Sequence, residues 1–300
     1  MPKLTIHTAT YNRAYILGKA YGSLRDQTCK DFEWIITDDG SEDGTEELVR
    51  SWLDEDNGFP IVYNKLPHVG IPRALNSGVN KAGTAWFMML DSDDHLVPNA
   101  VEKILPWIEE IEDDPSFCGI GFARCFPDGR YMKNQEPLIA PEIGYVDASH
   151  TQRKKYHLDM DMCEVQRVDV YKQFPFQYWE SEEYAPEQLS FYEMALAGYK
   201  LRWRGEKLYI CEYLPDGQTK DDRLVKRNPM GFAMMYNQNI LLSESWKQKL
   251  TNTVRMTALA IYGRHPEYAL SSHAKSLAVL TFPLGAALAL RRKRQYDRLG

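Results

Sequence analysis

Over the first hundred residues, short apolar runs of strand length alternate with stretches whose apolar residues recur at helical spacing. Residues 4–10 alternate apolar and polar positions and end in the polar turn Thr10-Tyr11-Asn12-Arg13. Ile16, Leu17, Ala20 and Leu24 then share one helix face. A second strand over 32–37 runs into Asp38-Asp39-Gly40-Ser41, and Ser41 through Thr45 offers caps for a helix carrying Leu48, Val49 and Trp52. Ile61-Val62-Tyr63 predicts a third strand. Residues 71–82 predict a helix with Pro72 in its first turn, where a missing N–H is tolerated. Residues 85–90 are apolar throughout, which suits a strand buried on both faces, and the run stops at Asp91-Ser92-Asp93-Asp94.

Such alternation predicts an α/β fold with a doubly wound, parallel sheet, whose ligands bind beyond the carboxyl ends of the strands. Three polar clusters, Thr10–Arg13, Asp38–Ser41 and Asp91–Asp94, fall at three of those ends. Further on, Val101, Ile104, Leu105, Ile108 and Ile111 form one face of a helix, and residues 118–126 predict a strand closed by the Asp128-Gly129 turn. Residues 130–185 are irregular, with many aromatic and charged side chains, and fit loops that shape an acceptor site. A helix over 186–197 with Gly198 just past its end and a last strand over 208–211 follow. Beyond about residue 221 the pattern is helical and basic. There is no internal repeat.

Composition narrows the classes. Of 300 residues, 44% are hydrophobic and 26% charged, as in a folded domain with a sizeable core. The net charge of −6 argues against a nucleic-acid binder, which needs a basic footprint. The charge is unevenly spread: residues 1–220 carry 23 Lys+Arg against 37 Asp+Glu, and residues 221–300 carry 13 against 5. Five widely spaced cysteines without a CxxC pair predict a reduced, cytoplasmic chain with no structural zinc. Met1-Pro2-Lys3 followed by Leu4-Thr5-Ile6-His7 lacks the apolar stretch of a signal peptide.

The acidic cluster carries the clearest chemistry. Carboxylates two residues apart at the end of a buried strand repel one another unless a cation offsets them, and a hard divalent ion with oxygen ligands is the natural partner. The plain alternative is that these residues cap the following helix. Asp38 and Asp39 could accept donors from a ribose or a base edge, or only shape the Gly40-Ser41 turn. Tyr11 could stack on a base and Arg13 meet a phosphate. His7, in the first strand, reads as structural. His68 lies near the same end of the fold and could approach phosphate, whereas His95 suits capping or packing.

Four motifs in order, Thr8-Ala9-Thr10-Tyr11-Asn12-Arg13, Asp38-Asp39-Gly40-Ser41-Glu42-Asp43-Gly44-Thr45, Gly70 through Arg73-Ala74-Leu75-Asn76, and Leu90-Asp91-Ser92-Asp93-Asp94, resemble a family 2 glycosyltransferase of the GT-A fold. The resemblance is firm over residues 3–100, looser over 101–220 and absent beyond; Ala9 departs from the proline that many relatives carry. It implies a GT-A, Rossmann-like, mixed and mainly parallel sheet flanked by helices with a C-terminal helical extension. Residues 1–100 would be the half that binds a nucleotide sugar, 101–220 the acceptor-binding half of the same domain, and 221–300 the basic helical extension. The implied activity is inverting transfer of a sugar from a nucleotide-diphosphate donor, a UDP-sugar as first expectation, with Mn²⁺ or Mg²⁺. By motif position Asp39 would contact the nucleobase beside Thr10 and Tyr11, with Arg13, Arg73 and Ser92 on the donor side, Asp91 toward the ribose, and Asp93 on the metal. The acceptor would be a hydroxyl of a glycan or of a lipid-linked chain, as in cell-surface polysaccharide assembly. A non-catalytic relative that only binds nucleotide sugars is the alternative.

An inverting displacement needs a carboxylate to take the acceptor proton. Glu187, after Pro186 at the start of the predicted helix, is the candidate; relatives with a similar Pro-Glu put their candidate base there. Its other reading is a first-turn acid favoured by the helix dipole. Glu180, Glu182 and Glu183 stand in reserve, and Tyr213 through Thr219 reads as a loop that could close over substrate. In the tail, 15 uncharged residues from Ser276 to Leu290, interrupted by Pro283 and Gly285, precede Arg291-Arg292-Lys293-Arg294. This is too short and broken to span a bilayer. Residues 276–294 fit either a peripheral contact with the inner face of a membrane or a helix docked on the core or on a second subunit of a homo-oligomer.

Overall fold

The computed structural model of the protein describes residues 1–211 and 223–297. The chain divides into two compact units, Met1–Pro175 with Ser190–Glu212, and Phe176–Leu189 with Tyr213–Gly300.

The first unit begins with the expected alternation: β1 (Leu4–Thr10), α1 (Gly18–Arg25), β2 (Phe32–Asp38), α2 (Thr45–Leu53), β3 (Ile61–Lys65), α3 (Ile71–Lys81) and β4 (Trp86–Met89). It continues through β5 (His95–Leu96), α4 (Ala100–Glu109), β6 (Phe117–Cys125), β7 (Val146–Ala148), β8 (Met162–Arg167) and α5 (Val168–Gln173) to β9 (Lys200–Ile210). The sheet runs β3-β2-β1-β4-β8-β6-β9-β5, with β7 paired to β9. The first four strands are mutually parallel; β8 then runs antiparallel to both β4 and β6, and β6 is parallel to β9.

Aromatic packing fixes the N-terminal layer. Tyr21 from α1 stacks on Trp52 from α2 at 4.1 Å, and both face Trp34 of β2, whose indole N–H donates to Thr8 Oγ1 at 3.0 Å. Helix α3 approaches β1 at Gly78, where a Cβ would stand 2.3 Å from the His7 ring. His7 is buried, stacks on Phe87 and shares a 2.9 Å hydrogen bond between Nε2 and Thr37 Oγ1. Burial pushes its pKa down to about 3. Between that value and the ordinary one near 6.5, the unfolded chain binds the extra proton and the folded chain does not. Stability from this site is therefore complete above pH 6.5 and lost as pH falls toward 3. At pH 4.5 the loss should be about 2–3 kcal/mol. Urea midpoints at pH 7 and pH 4.5 should show a drop that His7→Gln reduces.

Residues 130–185 are less irregular than the sequence pattern suggests. Strand β8 lies in the middle of the sheet, and its Glu164 and Gln166 are buried polar residues that break the apolar signature of a central strand. Burial raises the Glu164 pKa, and Arg153, from the 3₁₀ turn His150–Tyr156, meets its carboxylate at 3.3 Å. The last strand is also longer than expected, starting at Lys200, because Arg202 and Arg204 are stacked on Tyr145 and paired with Asp147 and Glu110 rather than solvated.

In the second unit, α7 (Leu224–Arg227), α8 (Pro229–Leu241), α9 (Trp246–Tyr262), α10 (Lys275–Leu280) and α11 (Phe282–Tyr296) pack around Met230, Ala233, Ile240, Met256, Leu259 and Ala260. Ser245 caps α9 through its hydroxyl, which accepts from the Gln248 N–H at 3.2 Å. The start of α8 is capped from a distance in sequence. The buried Glu182 carboxylate accepts the N–H groups of Met230 and Gly231, each at 2.8 Å, the favourable placement of an anion at a helix N-terminus. Helix α6 (Gln188–Leu196) follows the segment that carries Glu182.

Candidate active site

The three polar clusters stand at the carboxyl ends of the adjacent parallel strands β2, β1 and β4. Thr10 is opposite Asp38 in the register, and its carbonyl accepts the Asp39 N–H at 2.8 Å. Past Thr10 the chain turns through Asn12, whose φ of +52° is left-handed. Asn12 ties the first cluster to the second: its N–H donates to Ser41 Oγ and its side-chain oxygen accepts the Glu42 N–H, both at 2.8 Å.

Asp38 and Asp39 have different tasks. Asp38 is fully buried; one carboxylate oxygen accepts the Ser41 N–H at 2.8 Å and the other accepts the Tyr63 hydroxyl. It therefore shapes the turn. Asp39 accepts the N–H groups of Val69 and Gly70 at 2.7 and 2.9 Å, so its carboxylate pins the loop that opens α3. Oδ1, which accepts from Val69, keeps a further lone pair for a donor, whereas Oδ2, which accepts from Gly70, also faces His68. The His68 ring nitrogen Nδ1 lies 3.0 Å from the Asp39 carboxylate, and the ring stacks on Tyr11 at 4.2 Å. Tyr11 is 43% exposed, leaving aromatic surface at the rim of the cluster. Gly40 cannot be replaced here, because its φ is +85° and a Cβ would stand 2.8 Å from the His68 backbone nitrogen.

Arg13 donates to the Tyr15 hydroxyl at 2.7 Å. Arg73, in the first turn of α3, donates to the Val69 carbonyl at 2.9 Å, on the same loop that Asp39 holds. Thr10 is buried and its hydroxyl has no hydrogen-bond partner among the described residues, whereas Ser92 is buried within the acidic turn.

The acidic turn contains a residue that the sequence did not single out. Arg124, near the end of β6, places Nη1 2.7 Å from the Asp91 carboxylate and 3.9 Å from that of Asp94. Its guanidinium lies over the Tyr209 ring at 4.2 Å. The Tyr209 hydroxyl accepts the Asp91 N–H at 2.8 Å and donates to the Asp91 carboxylate at 3.1 Å. Asp91 remains half exposed, Asp93 is partly exposed and Asp94 is buried. Burial, then the negative charge of Asp91, pushes the Asp94 pKa up to about 8 against the pull of Arg124. A turn with this much negative charge behind one arginine is a site that favours an added cation.

The donor set suits a hard divalent ion. Among the described residues no group of three or more His, Cys, Asp or Glu side chains could hold a metal unaided. One or two strand-end carboxylates are what Mg²⁺ or Mn²⁺ takes when phosphate oxygens and water complete the shell.

Glu187 directly precedes α6 and is partly buried; the observed helix starts one residue after it. Its charge adds to the burial that raises the Tyr184 pKa to about 12. Of the reserve acids, Glu182 is committed to the cap of α8. The segment from Tyr213 to Thr219 lies outside the described residues.

Residues 5–174 match the family model described as glycosyl transferase family 2. The chain is 32% identical over 105 residues to the GalNAc(5)-diNAcBac-PP-undecaprenol beta-1,3-glucosyltransferase of Campylobacter jejuni, a match covering 35% of this chain and 34% of that one. It is 34% identical over 135 residues to the chondroitin synthase of Pasteurella multocida, covering 45% and 14%. The chain thus spans about a third of the first relative's length and less of the second's. Among solved structures it resembles Staphylococcus aureus TarS 1-349 in complex with UDP, with a TM-score of 0.56 and 16% identity over 91% of this chain and 73% of that one. It also resembles the mannosyltransferase PcManGT of Pyrobaculum calidifontis in complex with GDP-Man and Mn²⁺, with a TM-score of 0.57 and 17% identity over 98% and 83%. The strand order, the acidic turns at the strand ends and the family match agree, and the chain belongs to glycosyltransferase family 2.

Proposed function

We propose that the protein is an inverting glycosyltransferase that moves a sugar from a nucleotide-diphosphate donor, a UDP-sugar first, to a hydroxyl of a glycan or lipid-linked acceptor. The observation that carries this reading is the convergence of Thr10–Arg13, Asp38–Asp39 and Asp91–Asp94 at the carboxyl ends of three neighbouring parallel strands. The fold neighbours with UDP or with GDP-Man and Mn²⁺ support a nucleotide-sugar donor. The undecaprenol-linked acceptor named for the Campylobacter relative supports the lipid-linked alternative.

In this scheme Asp39 accepts a donor from the base edge with the lone pair that Val69 leaves on Oδ1, while Tyr11 offers a stacking face. Thr10 lines the base pocket, Arg13, Arg73 and Ser92 face the donor side, and Asp91 lies toward the ribose. Asp93, with Asp91 beside it, would hold a Mn²⁺ or Mg²⁺ ion, which when bound offsets the charge developing on the departing diphosphate. Glu187 takes the proton of the acceptor hydroxyl as its oxygen bonds to the anomeric carbon and the carbon–phosphate oxygen bond breaks.

A thermal-shift screen of nucleotide sugars with and without Mn²⁺ tests the donor half of the proposal. A cognate donor at a hundred times its dissociation constant should stabilise the fold by about 2.7 kcal/mol. Glu187→Gln should keep that shift and lose roughly a hundredfold or more of transfer rate. An undiminished rate removes Glu187 from the role of base. Donor binding with no turnover in the unaltered protein would identify a binding relative instead of an enzyme.

A further inference from the structure

Helix α11 shows two faces of opposite character. Gly285, Ala289 and Tyr296, spaced by four and seven residues, are buried. A Cβ on Gly285 would stand 2.6 Å from Thr257 Cγ2 of α9, and Tyr296 meets Tyr262 edge-on at 5.2 Å. The preceding turn is held by the Thr281 hydroxyl, which donates to the Leu277 carbonyl at 2.7 Å. The helix is therefore seated within its own unit, as the docked-helix reading required. Its other side, with the end of α10 before it, is not covered by the described residues. Val279, Leu280, Phe282, Leu284 and Leu290 are 37–78% exposed and crowd into twelve residues. The same helix then presents Arg291, Lys293 and Arg294 to solvent, and no acidic residue occurs between Glu267 and Asp297.

We propose that this face is a docking surface for an anionic lipid bilayer, with the apolar side chains of residues 279–290 entering the headgroup boundary and residues 291–294 meeting lipid phosphates. The two signals work together: exposed apolar side chains give affinity for any interface, and the cationic run selects a negative one. Among the described residues no helix is long and apolar enough to cross a membrane, so the segment lies on the surface of the bilayer. Charge decides against a second copy of the chain as the occupant. A two-fold contact centred on this face would bring two cationic runs together with no acid from residues 268–296 to meet them. The inference stands independently of the transferase reading, although a lipid-linked acceptor would give it a use.

Flotation of the full chain with vesicles tests it. The protein should float with equimolar phosphatidylglycerol and phosphatidylcholine and stay behind with phosphatidylcholine alone. Leu280→Ser/Leu284→Ser/Leu290→Ser should abolish flotation with no fall in melting temperature, because the three side chains are already in water. Arg291→Gln/Arg294→Gln should weaken binding roughly 25-fold, at about fivefold for each near-surface cation. Failure of the unaltered protein to float on the anionic vesicles overturns the proposal, as does flotation that the serine variant retains. A dimer in sedimentation that the serine variant dissolves, without vesicle binding, also overturns it and assigns the face to a second copy. Loss of sugar transfer in a solution assay would leave these outcomes unchanged, so the two proposals fail separately.

Discussion

Asp93→Asn should lower sugar transfer by on the order of a thousandfold, the scale seen when one preorganised electrostatic partner of a developing charge is removed. The substitution keeps the shape of the side chain and removes only its charge. Asp93 is partly exposed in a turn whose backbone is closed by other groups: the Asp94 N–H donates to the Asp91 carbonyl at 3.2 Å, and Tyr209 holds the Asp91 N–H. The variant should therefore fold with the melting temperature of the parent. It should also lose the additional thermal shift that Mn²⁺ confers in the presence of nucleotide. Measuring kcat/KM and the Mn²⁺-dependent shift side by side separates this outcome from simple unfolding, which would lower the melting temperature before any ligand is added. A variant that keeps both the rate and the Mn²⁺ response would exclude Asp93 from the metal site.

Arg124→Met should act on stability as strongly as Asp93→Asn acts on rate. The largely buried guanidinium bonds the Asp91 carboxylate and stacks on Tyr209; a hydrogen bond to a charged group contributes about 1.5–3 kcal/mol and a desolvated cation–ring stack up to about 2 kcal/mol. Asp91 is half exposed, which lowers its share, and the mostly protonated Asp94 adds little, so a total loss of roughly 3 kcal/mol is expected. For a domain of this size that is a fall in melting temperature of roughly 6–12 °C. Adding Asp94→Asn to Arg124→Met should recover little at pH 7, because the Asp94 carboxyl, with its pKa pushed up to about 8, is already mostly protonated there; a large recovery would show that it is charged. If the single and double variants fall together, the loss comes from the Asp91 bond and the stack on Tyr209 and not from the Asp94 charge. Calorimetry of the two proteins decides between these causes.

The N-terminal half of this arrangement could be read from the chain alone. The apolar run before Asp91 behaves as a strand buried on both faces, and β1, β2 and β4 end where the polar clusters begin. What escaped were residues whose roles depend on partners far away in sequence. Glu164 and Gln166 disguise β8 as a loop, since nothing near them announces that Arg153 will meet the one or that the sheet will bury both. Nothing in the sequence around Arg124 marks it out; only the pairing of β6 with β8 and β9 carries it to the acidic turn. Tyr209 is 118 positions from the aspartate it holds. Glu182 was grouped with candidate bases on the strength of local spacing, while its actual contacts are two backbone amides 48 and 49 residues downstream. Asp39 was legible as a functional acid but not as the anchor of the Val69-Gly70 loop, because a carboxylate does not reveal in sequence how many of its lone pairs are already taken.

The hold of β9 on the acidic turn has a consequence for the order in which the protein can be made. Tyr209 fixes the turn at Asp91, β5 pairs with the same strand through His95 and Leu96, and the Val97 N–H donates to the Leu208 carbonyl at 3.0 Å. Seven consecutive residues after β4 are thus completed by three residues synthesised more than a hundred codons later. A nascent chain that has just emitted residue 174 holds the whole family segment and all the strands bearing the polar clusters, yet its acidic turn still lacks the partner strand. Completion of the acidic turn is then a late event in biosynthesis, tied to one of the most sequence-distant contacts in the unit, and a premature stop before codon 208 would yield a chain with all three polar clusters and an unfinished turn.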